Sequence, residues 1–350
     1  MMSDIIAALA MNLDEENRPL PPLSFARRVK RALRALWVRF WTCREAKQAF
    51  RYDCRQFLDG AGMLHLDRKT AAQAEIVMGY HVLEKGLTMP SRRLGFGQGK
   101  VLQMVEAIAS YVRRFGADPQ VTHAVGVLRA YRELHRGHLE TMPRLDAFLA
   151  EHPEIPAAIE PHVRREDFYA AKDAPFPAFA ASRHVVRHFA GPVSRDVIER
   201  AVELAMTAPS ACNRQPSRVH VVDDPVLRDK LLALQCGTRG FGQDADKLLV
   251  VTVDLSAVRW VWERHDGYVN GGIFVMNLCY ALHWHGVAHC ILHWSVPPSA
   301  DRAAHALLGI PASEVIVQML ACGQPPAEFD VAASPRRAAA EVITWHGEAR

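Results

Sequence analysis

Two short segments carry the side chains best suited to chemistry. The first is Ser182-Arg-His-Val-Val-Arg-His-Phe189. Its Arg183 and Arg187 are fixed positive charges with forked donors, suited to a phosphate or a developing anion, and His184 lies between them. The second is Ala208-Pro-Ser-Ala-Cys-Asn-Arg-Gln-Pro216. Here Ser210, Asn213 and Gln215 offer donors and acceptors on one loop bracketed by Pro209 and Pro216, and such a loop can read the edge of a planar heterocycle. Taken singly, each segment also reads as a capped helix end followed by a polar turn.

Other signals fail on spacing. Gly95-Phe-Gly-Gln-Gly-Lys100 resembles a phosphate loop, but the pattern needs Gly at Leu94 and Ser or Thr at Val101, and Lys100 takes the last glycine of a dinucleotide fingerprint. Its glycines are expected to allow a tight turn. His283, His285, His289 and His293 straddle Gly286, the junction expected between a helix and a strand, with no carboxylate until Asp301, so no metal site is expected. A G-x-S-x-G elbow for a serine hydrolase is also missing.

The elements that must position these residues divide the chain in two. Residues 1–175 read as an all-helical region, with stretches around 70–84, 101–115, 121–136 and 143–150 and almost no β-like alternation. Pro153, Pro156, Pro161, Pro175 and Pro177 mark the linker. In 176–350, Ser194 caps a helix through Met206 and Asp224-Pro225 opens another. Strands are predicted at 218–222, 248–254, 287–292 and 315–322, and the apolar helix 268–284 is expected to be buried on several sides. The class is therefore α+β. The 350 residues, with 23% charged, 42 Lys and Arg and 38 Asp and Glu, have ordinary globular composition and a net charge of +4, too balanced for a nucleic-acid binder. Seven cysteines with no C-x-x-C pair suit reduced thiols, and Ile5–Ala10, preceded by Asp4, makes a poor signal peptide. A cytoplasmic protein is expected.

In order and spacing, these segments resemble the FMN-dependent nitroreductase family. Arg183, Arg187 and Phe189 match its Arg-x-x-x-Arg/Lys-x-Phe segment, and Pro209, Ser210, Asn213, Gln215 and Pro216 match its Pro-Ser-x-x-Asn-x-Gln-Pro loop. Gly323-Gln-Pro325, then Ser334-Pro-Arg-Arg337 and Glu341-Val-Ile-Thr-Trp345, match its C-terminal end. The resemblance covers about residues 176–350. It implies a mixed β-sheet wrapped by helices, a homodimer with two FMN sites at its interface, and hydride transfer from NAD(P)H through flavin N5 to a small-molecule acceptor such as a nitro compound or quinone. It also implies cofactor-binding roles for Arg183, His184, Arg187, Pro209, Ser210, Asn213 and Gln215, backbone contacts from Leu292 and His293, and a phosphate anchor in Arg336 or Arg337. No side chain need act as a nucleophile. Val185 stands where the family often has Ser, and Ser217 where it has an aromatic residue.

Two other readings stay open: a flavin enzyme that oxidises or dehalogenates a bound substrate, and a non-catalytic flavin-binding or interaction protein. Tyr80-His-Val-Leu-Glu-Lys-Gly-Leu87 and Arg92–Gly97 are similar to helical extensions on some nitroreductase-like proteins linked to polysaccharide biosynthesis. Gly86 is expected to end a helix, with His81, Glu84 and Lys85 as solvated surface. Residues 24–41 have Phe25, Val29, Leu33, Leu36, Trp37, Phe40 and Trp41 on one side, six basic residues on the other and no acidic one. The expectation is a packing helix, with contact to an anionic membrane surface as its rival.

Overall fold

The computed structural model describes residues 25–139, 142–158 and 161–347; Ser24 and the stretch read for a leader lie outside them. One compact unit ends at Phe57 and a second begins at Leu58. Helix α1 (Phe25–Gly60) runs through the first. On it, Trp41 makes ring contacts with Trp37 and Phe40, with centroids 5.8 and 5.9 Å apart.

The second unit contains a helical bundle of α2 (Lys69–Leu87), α3 (Gln98–Phe115), α4 (Pro119–Leu134) and α5 (Pro143–Ala150). Ile76, Tyr80, Leu83 and Leu87 on α2 meet Val101, Met104, Ile108 and Tyr111 on α3 in one core. Their three- and four-residue spacing is what brings them to a common face. The Asp118 carboxylate caps α4 by accepting from Gln120 N and Val121 N, with Pro119 in the first turn. Gly97, at φ 67°, opens α3, so the glycine run before Lys100 is the expected turn. Gly86 does not terminate α2, which continues to Leu87. A Cβ on Gly86 would stand 2.0 Å from the Phe96 ring, so glycine is required there by packing.

After the bundle come β1 (His162–Arg164), α6 (Arg165–Phe168), α7 (Phe176–Ser182) and α8 (Arg195–Ala205). Strands β2 (Ser217–Val222), β3 (Lys247–Asp254), β4 (Ala288–His293) and β5 (Glu314–Gly323) form a sheet in the order β2-β3-β5-β4 with every neighbour antiparallel. Between them run α9 (Pro225–Leu234), α10 (Asp266–Trp284) and α11 (Pro298–Leu308). The alternation of a pleated strand sorts the core into two layers. Leu248, Val250, Met319 and Ala321 face α9 and α11, while Leu249, Val251, Leu320 and Cys322 face α8 and α10. Each such fully buried aliphatic contributes about 1.5–3 kcal/mol.

Three expectations change. β1, unmarked by alternation, pairs antiparallel with β6 (Glu328–Asp330), tying the proline-rich segment to the chain's far end. Helix α10 is buried along one side only. Gly271 lets it lie against the sheet, where a Cβ would meet Val317 at 2.7 Å, but Tyr268, Val269, Ile273 and Trp284 stay exposed. The tail 341–346, whose β-branched and aromatic residues read as a strand, instead follows a 3-10 turn, Ala339–Glu341, as irregular chain. All seven cysteines are free, and no described helix is long and apolar enough to cross a membrane.

Candidate functional site

Arg183 stands where α7 ends. Beyond it the backbone runs beside β4, with Val186 N donating to His289 O at 3.0 Å. Arg183 Nε and Nη1 are buried without a hydrogen-bond partner. Arg183 as a whole is half-buried, so the two shielded nitrogens are donors without a partner beside a partly solvated charge. Its histidine neighbours add no second positive charge. Burial, His289 and Arg183 hold the His283 imidazole down at about 3, and burial holds His289 down at about 4. His184 is lowered as well, by burial and by Arg183, with Arg336 adding to the effect. Near neutral pH these rings are uncharged and the arginines define the field.

Arg187 is 8% exposed, and its side chain meets helix α2 of the bundle. Its Nη2 lies 3.5 Å from His81 Nε2. Of the α2 residues expected as solvated surface, His81 is exposed, but Lys85 is half-buried and Glu84 is buried. Glu84 is fully buried, with Oε1 2.6 Å from His123 Nε2, and Ser334 N donates to the same oxygen at 3.4 Å. Burial alone would raise the Glu84 carboxyl, but hydrogen bonding to His123 and the nearby His81 outweigh it and bring it to about 2. Lys85 donates to Gly237 O at 2.5 Å and sits 5.1 Å over the Phe241 ring. Burial and the adjacent Arg187 lower its ammonium. His188 Nε2 lies 2.7 Å from Thr88 O just past the helix. The spacing of His81, Glu84 and Lys85 placed them on one face; only the neighbour that covers that face was hidden.

The loop after α8 is built separately. Cys212, Asn213 and Gln215 all take positive φ, at 52°, 54° and 48°. Non-glycine residues rarely hold this conformation, and such strain persists only where surroundings enforce it. Ser210 Oγ accepts from Gln215 N at 2.9 Å, and Asn270 of α10 accepts from Ala211 N at 3.1 Å. Arg214 grips Glu263 through Nη1 and Nη2 at 2.9 and 3.0 Å and donates to Ala211 O and Ala257 O. Asn213 and Gln215 are left exposed, as is Pro209, while Ser210 is half-buried. Sequence reasoning passed over Arg214, Glu263 and Asn270; an Asn near the start of the apolar helix was the available signal.

The loop's bonds thus run to α10 and residues 257–263, whereas those of Val186, Arg187 and His188 belong to β4 and the bundle side. The remaining candidates divide likewise. Leu292 packs its side chain in the core, leaving only its backbone for contact, and His293 is exposed at the end of β4. Arg336 and Arg337 are exposed; Arg336 donates to Ser334 O at 2.7 Å. Arg336 acts on His184 and both act on Tyr80, which burial raises to about 12, so they flank the α2 side of the site. Val185, in the family's usual Ser position, packs against the core, and Ser217 begins β2 opposite Val253. His283 and His289 are buried on one side of Gly286 and one step into β4, and no described group of three His, Cys, Asp or Glu side chains forms a metal cluster.

Residues 180–237 match the Nitroreductase family. No curated protein matches the chain. Among solved structures, similarity extends to a candidate nitroreductase of Desulfovibrio desulfuricans in complex with FMN, at 24% identity over 50% of this chain and 98% of that one, with a TM-score of 0.42. A candidate NAD(P)H:FMN oxidoreductase of Staphylococcus epidermidis aligns at 16% identity over 49% and 96% of the two chains, TM-score 0.45. A nitroreductase family protein of Clostridium novyi aligns at 17% identity over 43% and 85%, TM-score 0.39.

Proposed function

We propose that residues 176–350, whose segment 180–237 carries nitroreductase-family sequence, form an FMN-dependent NAD(P)H oxidoreductase acting on an organic acceptor. The observation that carries the reading is Arg183, a half-buried side chain with two buried guanidinium nitrogens unpartnered, which fits an anionic cofactor. Arg183, Arg187 and one of Arg336 or Arg337 would hold FMN at its charged groups, with Ser210, Asn213 and Gln215 reading its edge. Held there, FMN would supply the redox chemistry, hydride transfer between a nicotinamide and the acceptor. The chain's residues bind, orient and neutralise.

The site is completed by a second copy of the chain. The arginine segment and the strained loop are anchored to different elements of one protomer, as expected if two protomers contribute to each site. The apolar residues Val269, Ile273 and Trp284 on α10 offer a surface for the partner. Beside them, Phe176, Phe179, Leu204 and Tyr280 line a recess of about 660 Å³. A two-fold axis there buries the same patch on both copies. For α1, the basic and aromatic stretch supports a further reading, contact with an anionic membrane surface.

Purified protein should show flavin absorbance, or take up added FMN, and bleach anaerobically with NADH or NADPH. A colourless protein that neither binds FMN nor oxidises either nicotinamide would refute the proposal.

A further inference from the structure

His81, Glu84 and Lys85 lie one turn apart on α2, and the groups they meet belong to the arginine segment and its surroundings. Arg187 is packed against His81, Lys85 and the Cys290 thiol. A guanidinium carries only donors, so the imidazole nitrogen facing it must accept. That nitrogen is Nε2, at 3.5 Å, and the ring proton therefore belongs on Nδ1. Nδ1 lies 3.7 Å from Glu84 Oε2, too far for a hydrogen bond but close enough for the carboxylate to favour a proton there. Glu84 is itself fixed by His123 at 2.6 Å and by Ser334 N at 3.4 Å. One tautomer lets His81 accept from Arg187 while its Nδ1–H faces Glu84 Oε2, a buried oxygen without a hydrogen-bond partner. The His81 side chain is 47% exposed, so it is free to be replaced without emptying a core.

We infer that His81 is a positioning residue supplied by the helical bundle. With its tautomer biased by the Glu84 charge, it accepts from Arg187 and fixes the guanidinium before the cofactor arrives. The inference rests on the flavin reading of the Arg183–Phe189 segment. A pre-oriented donor set counts most where charge accumulates, so the loss of His81 should weaken binding of the reduced, more negative cofactor more than the oxidised one.

The test measures FMN dissociation constants in both redox states and the midpoint potential of the bound flavin in full-length protein. His81→Ala should lose about tenfold more affinity for reduced than for oxidised FMN, equivalent to a midpoint about 30 mV lower. His81→Gln, whose Oε1 can accept in place of Nε2, should restore the wild-type potential. If His81→Ala binds FMN with an unchanged potential, or weakens both redox states equally, the positioning role is overturned while the flavin reading stands. Wild-type protein that binds no FMN overturns both.

Discussion

Arg214 and Glu263 meet through two parallel hydrogen bonds of 2.9 and 3.0 Å, and this pair clamps a loop in which three non-glycine residues hold positive φ. A forked guanidinium matched to a carboxylate is the strongest geometry for such a clamp. Glu263→Gln should therefore relax the loop and weaken FMN binding about tenfold, ~1.4 kcal/mol, with the fold intact. Titration of flavin fluorescence beside circular dichroism checks this. Hydrogen bonding from Arg214 holds the Glu263 carboxyl at about 2, below its ordinary 4.5. A lowered acid contributes above its unfolded value and fails as pH falls through the folded one, so the clamp should open between about pH 4.5 and 2.

Glu84 governs stability in the same direction and from a buried position. Its shift from 4.5 to about 2 corresponds to roughly 3 kcal/mol favouring the folded state at neutral pH. Glu84→Gln should lose a comparable amount in urea unfolding at pH 7. The difference from wild type should shrink as pH falls from 4.5 toward 2, where the native carboxyl is protonated too. A difference that stays constant across that range would remove the His123–Glu84 pairing as its cause.

The reach of sequence reasoning follows from which interactions are local. The sheet strands and the caps at Ser194 and Asp224 were legible because alternation and capping are encoded within a few residues. β1 was invisible, since three residues carry no period and their pairing with Glu328–Asp330 is set by tertiary contact. Glu84 was misread for a related reason. A charged residue on a helix face reads as solvated unless its distant partners are known, and Ser334 lies 250 positions away. The Arg183 and Ser210 segments could be picked out by residue type, but their attachment to different elements could not.

Arg336 and Arg337 offer a direct test of the phosphate anchor. Both are exposed, so changing the pair to Ala should leave the fold unaltered. Loss of a charge-assisted contact costs about 1.5–3 kcal/mol, which predicts roughly ten- to hundredfold weaker FMN binding. The residual binding should depend less on salt than in wild type. Undiminished affinity would assign the phosphate to Arg183 and Arg187 alone.

The dimer proposal predicts that Ile273→Glu, on the exposed side of α10, yields a folded monomer. Flavin should be lost in the same step, because each site draws on both copies. Deleting residues 339–350 should act likewise if the tail reaches the partner. Light scattering after size exclusion, with absorbance near 450 nm, reads both properties together. A flavin-loaded monomer would sink the shared-site arrangement.

The last prediction concerns α1. Positions 25, 29, 33, 36, 37, 40 and 41 are apolar, and at helical spacing they fall on one side, with Trp41 in ring contact with both Trp37 and Phe40. The six basic positions fall largely on the other side, and residues 25–41 include no acidic residue. An anionic lipid surface attracts each nearby Lys or Arg by about 1 kcal/mol, and aromatic rings favour the headgroup boundary. Full-length protein should therefore co-sediment with vesicles containing anionic lipid, fall off them as salt rises, and ignore neutral vesicles. Replacing Trp37 and Trp41 by Ala should weaken binding even at low salt, since insertion as well as charge is involved. Deleting residues 24–41 should abolish binding while leaving flavin uptake unchanged, because the residues proposed to hold FMN all lie within 183–337. If intact protein ignores anionic vesicles at low salt, the apolar stripe serves protein packing instead.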